Sequence, residues 1–237
     1  MIGTDNTSPE IGKAGRDTAI LGIGSLEQHS LHLPVETDFF FASQVSRKAA
    51  EGLDAVLLNP LPYSTSLEHL GFAGTVTLKP ETLRAVVWDI AESVLRWGIR
   101  YLVLLNAHGG NFCLIPAARQ WNMDGKHPHL LLVDFFSGLS GIGENLHAGE
   151  VETSMMLHLA PDRVRADKPE DFVPKWSRAD LTHFGMKGIS PSGVWGRPSR
   201  ATAEKGVEWF AEAVEYSVRR IRSLKEEFER GAQPVRR

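Results

Sequence analysis

The tightest constraint on this chain's fold is a set of short apolar runs separated by stretches of helical periodicity. Residues 18–24, 55–58, 101–105 and 130–133 carry almost no polar interruption and read as strands. Strands without alternation are buried on both faces, the pattern of a parallel sheet covered by helices. Behind Pro80, a residue suited to a helix's first position, Leu83, Val86, Val87, Ile90, Val94 and Leu95 recur at helical spacing. Residues 39–50 and 112–123 read as helices, with Thr37 or Asp38 near the first one's N-cap. Residues 147–154 lead into another helix, running to about residue 159. Val207, Phe210, Val214, Val218, Ile221, Leu224 and Phe228 form the apolar face of a long closing helix, 202–230. Residues 1–16 read as a loose lead-in and 161–200 as irregular. No repeat or linker divides the 237 residues. The expectation is therefore one α/β domain over 1–237, a mostly parallel sheet sandwiched by helices.

Composition excludes several partner classes. A net charge of −3 with no basic stripe argues against nucleic acid and against an anionic membrane surface. The terminal Arg236-Arg237 reads as a solvated end. Cys113 is the one cysteine, so no intrachain disulfide forms, and it reads as a structural thiol rather than a nucleophile. No signal peptide is visible, and no apolar run approaches the roughly 20 residues of a membrane helix. A cytoplasmic location is expected.

The chemistry concentrates after the first strand, in Leu26-Glu27-Gln28-His29-Ser30-Leu31-His32-Leu33-Pro34-Val35-Glu36-Thr37-Asp38. Glu27 and His29 are two apart, so an extended backbone points both to one side. A dinucleotide turn at Gly22 and Gly24 is excluded, because its third glycine would fall on Glu27 and face a pyrophosphate with a carboxylate. Gly22 to Ser25 lacks the pattern of a serine nucleophile elbow. His108, in Asn106-Ala107-His108-Gly109-Gly110-Asn111, also follows a strand. In open α/β sheets ligands bind beyond such strand ends. His147, Glu150 and Glu152 open a helix, where acidic residues are favourable in any case. The candidate metal set is Glu27, His29, Asp38, His108 and Glu150. Three carboxylates together repel unless some stay protonated. Two divalent ions remove that problem and stabilise a bridging hydroxide, with Asp38 as the natural bridge. Mixed carboxylate and imidazole donors suit zinc first, with manganese or iron as alternatives.

Four separated motifs resemble those of the creatininase (creatinine amidohydrolase) family. They are Glu27-Gln28-His29-x-x-His32-Leu33-Pro34-x-x-Thr37-Asp38, Glu68-His69-x-Gly71-Phe72-x-Gly74-Thr75, Asn106-x-His108-Gly109-Gly110-Asn111 and His147-Ala148-Gly149-Glu150-x-Glu152-Thr153-Ser154. Gly193-Val194-Trp195-Gly196-Arg197-Pro198 and Thr202-Ala203-Glu204-Lys205-Gly206 extend the likeness. The resemblance implies a creatininase-like α/β fold and a dinuclear metal site hydrolysing amide C–N bonds other than ordinary peptide bonds. It implies that Glu27, Asp38 and His108 hold one metal, and that His29, Asp38 and a further glutamate hold the other. In creatininase that glutamate stands where this chain has Gly110, so Glu150 is expected to replace it. His147 falls at the family's proton-transferring histidine, and Glu152 is expected to orient other groups. His32 and His69 are expected to be structural or supporting.

Ser30-Leu31 in place of the usual Gly-Pro, Ala107 in place of a glycine and Arg197 in place of an aspartate argue against creatininase activity itself. The loop 61–78 and the segment 176–197, with Trp176 and Trp195, are expected to line the pocket or to pack. The substrate expected is a small cyclic or linear amide. The alternatives are a family peptidase trimming a peptide in redox-cofactor (mycofactocin-type) maturation, a non-catalytic metal or ligand binder, and a sugar or nucleotide binder using the glycine loops. Family likeness also implies a homo-oligomer, with a hexamer as the candidate state.

Overall fold

The computed structural model describes residues 1–167 and 170–231. Arg236 and Arg237, read above as a solvated end, lie outside the described residues. Five strands, β1 (Ile2–Gly3), β2 (Thr18–Ile23), β3 (Val56–Leu57), β4 (Tyr101–Asn106) and β5 (His129–Asp134), form one sheet. Its order is β1-β3-β2-β4-β5, with every neighbouring pair parallel. Seven helices accompany it: α1 (Ser8–Ala14), α2 (Thr37–Leu53), α3 (Pro80–Leu95), α4 (Leu114–Met123), α5 (Glu150–Leu159), α6 (Leu181–Ile189) and α7 (Ala203–Glu229).

The two faces of the sheet are read off alternate strand positions. Ile20, Tyr101, Val103, Leu105, Leu131 and Val133 pack with Phe41, Val45, Met155, Trp209 and Ile221, burying α2, α5 and α7 on one side. Ala19, Leu21, Ile23, Leu102, Leu104 and Leu130 pack with Leu83, Val87, Leu114 and Trp121, burying α3 and α4 on the other. The central strands are thus apolar throughout because both faces are covered. Among the described residues, no helix is long and apolar enough to cross a membrane.

Two stretches depart from the sequence reading. The N-terminus is not a loose lead-in: Ile2 and Gly3 pair with Val56 and Leu57 as an edge strand, and α1 follows. A two-residue strand carries too little pattern to be recognised locally; pairing with β3 defines it. Within 161–200, α6 forms across Gly185, whose φ of 61° interrupts the helix and hides its period. Met186 and Ile189 pack there with Trp195. A smaller shift concerns Asp38, which lies in the first turn of α2, with Glu36 at the N-cap.

The start of α2 sits directly on the end of β2. A Cβ built on Gly24 would stand 2.4 Å from the Phe39 backbone and 2.7 Å from the carbonyl carbon of Asp38. Only glycine permits this approach, and it brings Asp38 to the strand end that also carries Glu27. Gly24→Ala is expected to destabilise the fold by about 3 kcal/mol through overpacking against backbone. Urea unfolding of the two proteins measures the difference, and a change under about 0.5 kcal/mol would contradict the close contact.

Candidate metal centre and active site

β2 and β4 end side by side, with Ile23 opposite Asn106. That register brings together residues far apart in sequence. Glu27 is fully buried just beyond β2, and His108 is buried just beyond β4. Glu27 Oε2 lies 3.0 Å from His108 Nε2, and Asp38 Oδ2 lies 2.9 Å from His108 Nδ1. Asp38 Oδ1 is 3.3 Å from His29 Nε2, and Ser25 Oγ donates to Asp38 Oδ2 at 2.9 Å. On the other side of Glu27, its Oε1 is 3.3 Å from His69 Nε2 and 3.5 Å from His147 Nδ1. Glu152 closes the ring, with Oε1 3.8 Å from His29 Nε2.

Glu150 does not join this cluster. Its Oε1 accepts a hydrogen bond from Lys205 Nζ at 2.6 Å, on the side of α5 that faces α7. Two residues along a helix rotate a side chain by roughly 200°, so Glu150 and Glu152 cannot face the same way. The backbone of Ala148 has a φ of 48°, and its N–H donates to Glu152 Oε2, which turns Glu152 toward His29. Glu152 therefore occupies the place expected for Glu150, and the sequence-based choice between them is corrected.

Burial sets the electrostatics. Removal from water, reinforced by the Asp38 and Glu68 charges, pushes Glu27 up to about 8 against the pull of His108. Burial also opposes charge on His108, but Glu27 and Asp38 outweigh it and push the ring up to about 10. His29 is likewise held well above its usual value, because Asp38 and Glu152 overcome its burial. Asp38 is held far below the carboxylate range, its burial outweighed by His29 and His108. His69 and His147 are held well below the usual range by burial and by the neighbouring imidazoles.

The donor set fits divalent cations. Both oxygens of Glu27 and Nε2 of His29 are buried without a hydrogen-bond partner among the described residues, the contacts above having the wrong angles. Three groups have donor atoms mutually within 4.8 Å: Glu27–His29–Asp38, Glu27–His69–His147 and His29–His147–Glu152. Buried carboxylate and imidazole donors converging in this way suit zinc, manganese or iron. His108, whose Nδ1 lies against Asp38 and whose Nε2–H donates to the Thr65 carbonyl oxygen at 2.9 Å, borders the first group.

The cluster opens on a cavity of about 540 Å³ whose other walls include Phe112, Phe136, Leu181, Met186 and Trp195. Trp195 is on that wall, whereas Trp176 is about half exposed and packs against Phe184 at a tilt, with centroids 4.9 Å apart. Arg197 pairs with Glu144 instead of facing the cavity. Ser30, standing where glycine is usual, takes a φ of 61°. Burial pushes the Cys113 thiol up, the opposite of what a nucleophile needs.

Sequence reasoning undervalued His69 and passed over Gln28 and Ser25. Gln28 Nε2 donates to His69 Nδ1 at 2.9 Å, so its amide braces that ring. His147 Nε2–H donates to the Gln28 carbonyl oxygen at 2.7 Å, leaving Nδ1 for the cluster. The signal for His69 was its own motif after a strand end. Ser25 and Gln28 had no signal beyond adjacency. His32 lies 2.8 Å from Thr153 Oγ1 through Nε2, next to the first turn of α5, a supporting position.

Exchange of the two helix glutamates separates their parts. Glu152→Gln is expected to weaken metal binding by at least about tenfold, the lower end of losses seen around metal ligands. Glu150→Gln is expected to leave metal content unchanged. Elemental analysis of the dialysed proteins reads both, and the reverse pattern would restore Glu150 to the site.

Comparison with known proteins identifies the family. The family model described as creatinine amidohydrolase matches residues 4–221. A mycofactocin precursor peptide peptidase of Mycobacterium ulcerans (strain Agy99) is 33% identical over 241 residues, covering 90% of this chain and 92% of the relative. A creatinine amidohydrolase of Pseudomonas putida is 30% identical, covering 81% of this chain and 84% of the relative. A solved mutant creatininase of the Zn-Zn type is similar at a TM-score of 0.75 and 25% identity, covering 93% of this chain and 97% of that one. The match spans both strand-end motifs and the α5 motif that build the cluster, and the chain belongs to the creatininase family.

Proposed function

We propose that this protein is a metal-dependent amidohydrolase that cleaves an amide C–N bond at a dinuclear centre. The observation that carries the reading is the buried convergence of Glu27, His29, Asp38, His108 and Glu152 beside an open cavity. Both relatives described above are named for hydrolysis, one of a peptide and one of creatinine. Glu27, Asp38 and His108 would hold one ion, and His29, Asp38 and Glu152 the other. Two divalent ions, zinc first, supply Lewis-acid polarisation and an acidified water when bound. Asp38 faces both His29 and His108 and is the carboxylate shared between the two halves. His147, fixed by its Nε2–H on the Gln28 carbonyl, moves a proton at Nδ1 to the leaving nitrogen. Trp195, Phe136 and Met186 exclude water from one side of the reacting amide.

Within this reading, a peptide amide is favoured over a small cyclic amide by two observations. One is the named activity of the 33%-identical relative. The other is a cavity of about 540 Å³, within the roughly 300–1,000 Å³ that houses drug-sized ligands. The bond cleaved then resembles a peptide bond more than the non-peptide amide the motifs first suggested. A homo-oligomer, hexameric on the family resemblance, is part of the proposal. Leu31, Val35, Leu70 and Val76 are exposed on two loops that meet at the Leu26–Val76 bridge, and they offer apolar area for an interface.

Zinc-loaded protein incubated with cyclic ureides, formamides and short peptides, read by mass spectrometry, tests the activity. Hydrolysis is expected for at least one class, lost on chelation and restored by zinc. Glu27→Ala is expected to lose metal and at least about 100-fold in turnover. Metal uptake with no hydrolysis in any class would favour the non-catalytic binder, and unchanged metal content in Glu27→Ala would overturn the site. Light scattering on the eluting protein reads the oligomer, and a monomer at micromolar concentration would remove that part.

A further inference from the structure

Arg178 is exposed yet lines the same cavity as the buried cluster. Its Nη2 donates to the carbonyl oxygen of Gly109 at 3.1 Å, one residue from His108. A Cβ built on Gly109 would stand 2.6 Å from that nitrogen, so the guanidinium fills space that a side chain would take. Gly110 is used in the same way by the opposite charge: its Cβ would stand 2.0 Å from Glu68 Oε1. Two consecutive glycines thus let a cation and an anion approach the turn that carries His108.

The charge of Arg178 lacks a carboxylate partner among the described residues. The side-chain hydrogen bond of Arg178 goes to a neutral carbonyl. Asp134 shares the wall, but burial pushes its carboxyl up, and the Arg178 charge only partly opposes this. Apart from histidines, Arg178 is the one cationic side chain on that wall among the described residues, against Glu27, Asp38, Glu68, Asp134 and Glu152. A guanidinium carries five N–H donors in a planar fork that matches a carboxylate edge-on. One is spent on Gly109, and Arg178 lines the cavity, so its other donors remain for a ligand there.

We propose that Arg178 determines specificity by binding a carboxylate of the substrate. The molecule cleaved is then an amide with a free carboxylate, such as the end of a peptide or an N-acyl amino acid. This rests on the amidohydrolase reading above, which it deepens. Arg178 acts on affinity and orientation and does not touch the reacting atoms.

The test uses matched short peptides, each as the C-terminal acid and the C-terminal amide, with zinc-loaded wild type, Arg178→Gln and Arg178→Lys. Wild type is expected to favour the acid by at least about tenfold in kcat/KM, the scale of one charge-assisted contact. Arg178→Gln should lose that preference, its KM for the acid rising by about tenfold to meet that for the amide. Arg178→Lys should regain part of it, because lysine keeps the charge without the fork. Equal treatment of acid and amide by wild type would overturn the proposal while leaving the hydrolase reading intact. So would a preference that survives in Arg178→Gln. If no peptide is cleaved, that reading fails for peptides, and titration calorimetry with N-acetylglycine and its amide decides the role of Arg178 alone. Tighter binding of the acid that disappears in Arg178→Gln supports it, and equal binding overturns it.

Discussion

The pairing of β2 with β4 is the constraint on which the candidate site depends. Strand order runs β1-β3-β2-β4-β5, so the chain steps from β2 to one side and then returns to the other. The connections leaving β2 and β4 therefore diverge, and a crevice opens between their carboxyl ends. Ile23 lies opposite Asn106 in this register. The turn after each strand then delivers one charged group to the same crevice, Glu27 from β2 and His108 from β4, 3.0 Å apart. A slip of one residue would send either side chain to the opposite face. Both core clusters fix the register, since each strand buries alternate residues on each side.

What collects in that crevice is electrostatically demanding. Glu27, Asp38 and Glu152 are buried with His29, His69, His108 and His147. Burying a charge is costly unless it is paired or holds a metal. His29 and His108 are raised by the carboxylates despite burial. Glu27 nonetheless has two oxygens with no hydrogen bond among the described residues. A hydrogen-bonded core would have satisfied them. A carboxyl group left in this state among six other buried ionisable groups is what a metal-binding arrangement presents. The same demand explains the bracing around it. Ser25 holds Asp38, Gln28 holds His69 and His147, and Ala148 holds Glu152, so the donors are preorganised.

Much of this was legible in the residues, for identifiable reasons. The parallel sheet followed from apolar runs without alternation, because double-sided burial removes the polar face. Glu27, His29, Asp38 and His108 followed from charged groups set just after such runs. The choice of Glu150 over Glu152 was not legible: both are in the first turn of α5, and spacing gives relative angle but not which face is inward. That face is set by the packing of α5 on α7, where Lys205 takes Glu150. His69 and Gln28 escaped because their roles exist only where three loops meet. The edge strand Ile2–Gly3 and the broken helix α6 depend on partners that no local window contains.

The two glycines after His108 connect these points. The resemblance places a glutamate of creatininase where this chain has Gly110, and a bare deletion of that carboxylate would leave a gap beside His108. The structure has no such gap: Glu68, from another loop, holds an oxygen 2.0 Å from where a residue-110 Cβ would be. Negative charge at that corner is thus kept, but it hangs from a surface loop instead of from the strand end. Meanwhile Gly109 admits Arg178 from the segment before α6. Groups anchored at strand ends are fixed by the sheet, whereas groups reaching in from loops can be exchanged without disturbing it. In this chain Glu27 and His108 belong to the first class, and Glu68 and Arg178 belong to the second. Walls built from such loop groups can change while the fold stays the same.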